Sequence, residues 1–156
     1  MTKKTLISIC MLALLISFSS CRSVKPIVSL DSINEEWYII EMNGSVIVPS
    51  PGRSFPTIKF DTSNGEVLGS SGCNRFMGSF DVNSHLGSIE LSKLISTRMA
   101  CPDMTLENNL LLALGKVKKY KKVGTQIALC NTSNRPVLIL QKVPLDITNP
   151  SVLKKK

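Results

Sequence analysis

The side chains able to do chemistry in this chain are few: five cysteines and one histidine among 156 residues. Cys10 and Cys21 lie near the start, which leaves Cys73, Cys101 and Cys130 together with His85. A cysteine nucleophile needs a partnering base. The single imidazole, His85, sits in the turn-like stretch Asn-Ser-His-Leu-Gly, where a lone histidine is ordinarily just solvated. A metal site built from the cysteines and His85 lacks any C-x-x-C spacing. Glu90 and Glu107 could act as paired carboxylates only if the fold joined them, and nothing in their spacing does so. Nucleophile elbows, phosphate loops and histidine metal pairs are absent from the sequence. The expectation is therefore no catalytic residue, no metal ligand and no cofactor: not an enzyme.

Two of these cysteines lie in motifs that organise the chain. Gly69–Phe80 reads GSSGCNRFMGSF. Glycine inside a strand-like run marks a bulge, a bend or a close backbone approach. Gly72-Cys73-Asn74-Arg75 reads as a sharp corner between two strands, because Asn tolerates left-handed backbone and can bond its own loop. A recognition role for an exposed Asn74 and Arg75 is the other reading. Phe76 and Phe80 fall on one strand face. The second motif, STRMACPDMTLENNLLLAL, starts at Ser96. Ser96–Ala100 ends a strand, Pro102 stops the ladder, and Asp103 or Thr105 caps a helix. Glu107 suits the positive end of that helix. Leu106, Leu110, Ala113, Leu114 and Val117 recur on one helical face, so the helix must pack on something, most simply a sheet. Gly115 weakens or ends it.

The first 20 residues read as a lipoprotein signal peptide. Lys3 and Lys4 give a positive start, and Leu6–Ile16 supplies an apolar core too short for a comfortable membrane span. Phe18-Ser19-Ser20-Cys21 then places a small residue directly before Cys, the pattern in which the thiol is acylated and becomes the mature N-terminus. Cys21 is thus the lipidation site, and more than one acyl chain gives stable anchoring. Arg22, where inner-membrane lipoproteins of many Gram-negative bacteria carry Asp, points to the outer membrane, facing the periplasm. Residues 21–34 form a lipidated N-terminus and short tether, with Pro26 and no sustained period.

The rest makes one domain, 35–143, followed by a flexible basic tail, 144–156. Strands are expected at Trp37–Met42, Val46–Val48 after an Asn43-Gly44 hairpin, Thr57–Phe60, Glu66–Ser70, Phe76–Val82, Ser88–Leu91, Leu94–Met99, Tyr120–Val123, Gln126–Cys130 and Val137–Val143. Short turns between strands imply an α+β fold, mainly antiparallel: a small curved or barrel-like sheet with one packed helix. The formal charge is +8. Lysines cluster at Lys116–Lys122 and Lys154–Lys156. Basic clusters can bind nucleic acid, but the export signal removes the protein from it. Anionic headgroups or acidic glycans are the functional alternative to a plain solvated face.

GCNRFMGSF and STRMACPDM…E…LL.AL, in this order and spacing and behind a Trp such as Trp37, resemble the META domain, the family of HslJ-type heat-inducible lipoproteins. The resemblance covers about Glu36 to Val143. It implies a small β-rich domain with one helix, a link to envelope or heat stress, and no catalytic residues to carry over. If that architecture joins the two motifs, Cys73 and Cys101 form a disulfide, which an oxidising compartment permits, worth about 3 kcal/mol in the chain-entropy model. Cys130 then stays a buried free thiol. Asn74, Arg75, Thr97 and Arg98 would adjoin that pair and form one interaction surface, with Arg75 and Arg98 recognising an acidic partner.

Three functions follow as expectations. The first is a lipid-anchored, non-enzymatic structural or interaction module, bound to the membrane and to an envelope protein. The second is a module binding a hydrophobic or anionic small ligand in the curve of the sheet, which an open apolar interior would favour. The third is a thiol-dependent enzyme, which needs an exposed, acidified Cys73 or Cys101.

Overall fold

A computed structural model describes residues 32–81 and 87–144. The signal peptide, Cys21, most of the tether, Val82, His85 and the tail beyond Pro144 lie outside the described residues.

Alternation of apolar and polar side chains makes most of the chain strand. In chain order the elements are β1 (Glu36–Met42), β2 (Ser45–Val46), β3 (Thr57–Asp61), β4 (Glu66–Ser70), β5 (Arg75–Asp81), β6 (Glu90–Ser96), α1 (Thr105–Leu114), β7 (Lys119–Val123), β8 (Gln126–Cys130) and β9 (Pro136–Gln141). They form one nine-stranded antiparallel sheet in the order β6-β5-β4-β3-β1-β9-β8-β7, with β2 paired to β1. The ends of this path approach each other at an isolated bridge, Ser88 with Lys119. There Ile89 N–H donates to the Lys118 carbonyl (3.1 Å) and Tyr120 N–H to the Gly87 carbonyl (2.8 Å). No ladder follows among the described residues, so the sheet is curved but not closed into a barrel.

The inward faces fill the space the curve encloses. Trp37, Ile39, Ile58, Phe60, Val67 and Phe76 from one half meet Ile127, Leu129, Leu138 and Leu140 from the other, all buried. Phe60 and Phe80 pack edge to face with centroids 5.5 Å apart. Leu110, Ala113 and Leu114 of α1, and Val117 just after it, complete the same cluster. The expected helix face is thus the packed one, although Leu106 is only half-buried.

Two local expectations change. Ser88–Leu91 and Leu94–Met99 are not separate strands: β6 runs unbroken from Glu90 to Ser96. The polar Ser92-Lys93 pair, read as a break, is a bulge. Pairing moves from Met77↔Ile95 to Ser79↔Ser92, an extra residue on β6, and Lys93 takes φ 51. Gly78 faces this bulge, and a Cβ there would lie 2.7 Å from the Ser92 carbonyl oxygen. At the helix start, the cap position is Met104, with no side-chain cap bond. Asp103, one residue earlier, still takes the Thr105 N–H on Oδ1 (2.8 Å).

Candidate functional site

β5 begins at the corner Ser71–Asn74, and β6 ends in the crossing segment that leads to α1. The corner is tight: the Asn74 carbonyl accepts from Ser71 N–H (2.8 Å) and Ser71 Oγ (2.9 Å). Gly72 turns it at φ 100, a conformation side chains resist. A Cys73–Cys101 disulfide, with Cα atoms 6.5 Å apart, ties the corner to the crossing segment.

Asn74 makes a second tie beside the first. It is 0% exposed. Its Oδ1 accepts from Thr97 Oγ1 (2.7 Å) and from the Met99 N–H (2.7 Å). Its Nδ2 donates to Glu107 Oε2 (3.0 Å) and lies 3.4 Å from the Met99 carbonyl and 3.6 Å from Cys101 Sγ. Glu107, 4% exposed, also accepts from Ser96 Oγ on Oε1 (3.4 Å). One amide therefore joins β5, the crossing segment and α1. Every buried side-chain polar atom among the described residues has a partner, as burial requires.

This corrects the expected interaction surface. Asn74 is not exposed and takes no part in one. Arg75, Thr97 and Arg98 are exposed, and Arg75 and Thr97 are adjacent: Arg75 N–H donates to Thr97 Oγ1 (3.1 Å), and Thr97 N–H to the Arg75 carbonyl (3.0 Å). Glu107 lies in the first turn of α1, as its place at the positive end of the helix requires, and its carboxylate is turned into the protein. The signal was present in its spacing, since Glu107, Leu110 and Leu114 share a helix face.

The remaining reactive groups are dispersed. Cys130 is a buried free thiol, pushed up by burial, with Lys121 and Lys119 opposing that shift. Among the described residues no free thiol is exposed, and no three His, Cys, Asp or Glu converge to hold a metal. Glu90 pairs with Lys118 at the far end of β6 from Ser96, Glu107's partner. A small cleft of about 140 Å³ lies beside Cys73, Pro102 and Leu106, and a larger, more open groove of about 670 Å³ runs along Ser96–Ala100 and α1. The side chains that fill the curve of the sheet weigh against a ligand held there.

A META domain family model matches residues 29–144. The fold is similar to a protein solved by NMR at 21% identity, covering 73% of this chain and 94% of that one, with a TM-score of 0.55. It also resembles a protein from Burkholderia xenovorans at 27% identity (69% and 81% covered, TM-score 0.54). A third likeness, at 12% identity, is to a DUF4847 family protein from Bacteroides vulgatus (73% and 96% covered, TM-score 0.52). No curated protein matches the chain.

Proposed function

Because this chain belongs to the META domain family, whose characteristic motifs here turn Asn74 and Glu107 inward, we propose that it is a non-enzymatic interaction module of the cell envelope. It is held by lipid on Cys21, in the outer membrane facing the periplasm, and serves under envelope or heat stress. Its recognition surface is the outer side of the two motifs around Thr97, where Arg75 and Arg98 face an anionic partner. The observation that carries this reading is the engagement of Asn74, Glu107 and both motif cysteines with one another. A catalytic site keeps such groups open to substrate; a structural joint closes them.

The anchor is tested with labelled palmitate in growing cells. Incorporation into the chain, lost in Cys21→Ala along with membrane fractionation, is the expected result. A wild-type chain that takes up no palmitate, or a Cys21→Ala chain that takes up as much as the wild type, would remove the lipid anchor on Cys21 from the proposal.

A further inference from the structure

Among the described residues, most exposed large apolar side chains lie along one strip. Leu68, Met77 and Ile95 are direct neighbours across β4, β5 and β6, through the pairs Leu68↔Met77 and Met77↔Ile95. Met77 is 50% exposed and Ile95 62%. From Ile95 the strip continues through a groove lined by Leu94 and Leu111 to Leu112 on α1, 66% exposed. Met99, also exposed, borders the adjoining groove between the crossing segment and the helix. Isolated exposed apolar residues need no explanation, but a contiguous patch does.

Cations outnumber exposed carboxylates along this strip: Lys59 stands across from Leu68, and Glu66 is the acidic group on the same face of β4. Residues 67–80 and 91–102 contain no Asp or Glu and supply Arg75, Lys93 and Arg98. Glu107, which borders the groove, is turned inside. The carboxylates that bound these stretches are Glu66, Asp81, Glu90 and Asp103. Glu66 lies two residues from Leu68 on the same strand face, Asp81 and Glu90 pair at the other end of β5 and β6 from Arg75, and Asp103 precedes the helix. An apolar strip edged by cations complements a bilayer surface with anionic headgroups. A strand-like partner fits less well. β6 is the edge of the sheet path, yet its bulge at Lys93 breaks the register an added strand would copy. A bilayer asks only for side chains.

The tether permits this contact. The described chain enters beside the β3–β4 turn, where Thr62 N–H donates to Asn34 Oδ1. The strip lies within one strand length of that end, roughly 20 Å. The chain from Cys21 to Ser32 can span on the order of 35 Å when extended.

We propose that this strip is a membrane-docking face, which lays the anchored domain on an anionic bilayer rather than leaving it to swing free. The inference rests on the lipid-anchor reading for its geometry, and it names the partner of the surface proposed above as lipid.

The test uses the full lipidated chain, purified from membranes and reconstituted in vesicles of phosphatidylethanolamine and phosphatidylglycerol. A fluorescent label is placed at Met77→Cys or, as control, at Val123→Cys on the distant hairpin. Quenching by brominated acyl chains is expected at position 77 and not at 123. It should weaken with salt and on Arg75→Glu with Arg98→Glu, by roughly fivefold in bound population per cation removed. An unchanged urea midpoint shows that the charge-reversed protein is folded. Equal quenching at both positions, or quenching at 77 indifferent to charge reversal, overturns the proposal. If mass spectrometry finds no lipid on Cys21, the same chain is sedimented with preformed vesicles. Binding to the anionic vesicles but not to phosphatidylcholine supports the face without the anchor; no binding to either overturns it. A photo-crosslinker at Ile95 in cells is expected to capture lipid, and a single protein captured in its place overturns the membrane as partner.

Discussion

The two regions that carry the motif cysteines and Cys130 are built in opposite ways. At the hairpin β7–β8 the usual rule holds: Tyr120, Ile127 and Leu129 face the core, the lysines face water, and Cys130 is buried and unbonded. At the junction of β5, the crossing segment and α1, the polar Asn74 and Glu107 are inside and Met77, Ile95 and Met99 are outside. Core apolar residues can be exchanged for one another at modest cost. A buried amide with several directional bonds cannot. The junction is therefore fixed by specific hydrogen bonds, one of them from the exposed Thr97, while the side chains of Met77 and Ile95 lie outside that network.

The largest effect should come from breaking the junction. Asn74→Ala removes the bonds to Thr97 and Met99 and leaves the buried Glu107 carboxyl without its amide donor, a loss of about 4 kcal/mol in urea unfolding. Next comes the disulfide. Cys73→Ser with Cys101→Ser, or reduction, should cost about 3 kcal/mol by the same measurement, while the fold persists through Asn74. At the hairpin, burial holds the Cys130 thiol protonated above its ordinary range. Titration with a thiol reagent at neutral pH should find it inert in the folded, oxidised chain and reactive once unfolded.

Asp103 gives a smaller, pH-dependent effect. Its carboxyl is held below the ordinary range by the backbone N–H of Thr105 and then by that residue's side chain. A lowered folded value stabilises the native state fully above the unfolded value of about 3.9, and this contribution is lost as pH falls through the folded value. The stability difference between the wild type and Asp103→Asn should be present at neutral pH and vanish in acid. The smallest change is expected from Arg75→Ala or Arg98→Ala, within about 0.5 kcal/mol of wild type, because these exposed side chains act outward.

Much of the architecture was legible in the sequence because it rests on periodicity and turn residues. Ile58 and Phe60 alternate with polar neighbours and form β3; Leu110, Ala113 and Leu114 keep the helical spacing and pack. The bulge in β6 was not legible, since Ser92-Lys93 looks like any polar interruption until its pairing with Gly78 is seen. The corner at Asn74 was legible, but its burial was not, for a related reason. A polar residue at a corner usually faces water, and only the long-range partners Thr97, Met99 and Glu107 turn it inward. Glu107 could have been suspected, because it shares the apolar face of α1. The strip Leu68–Met77–Ile95 was hidden because its members come from different strands and meet only through register.

The most direct test of the account is equilibrium urea unfolding of the oxidised Asn74→Ala chain beside the reduced wild type. Both should be destabilised, and the Asn74→Ala chain should lose more, since the buried amide holds three segments and the disulfide two. An Asn74→Ala chain as stable as the oxidised wild type would show that the junction does not depend on this network.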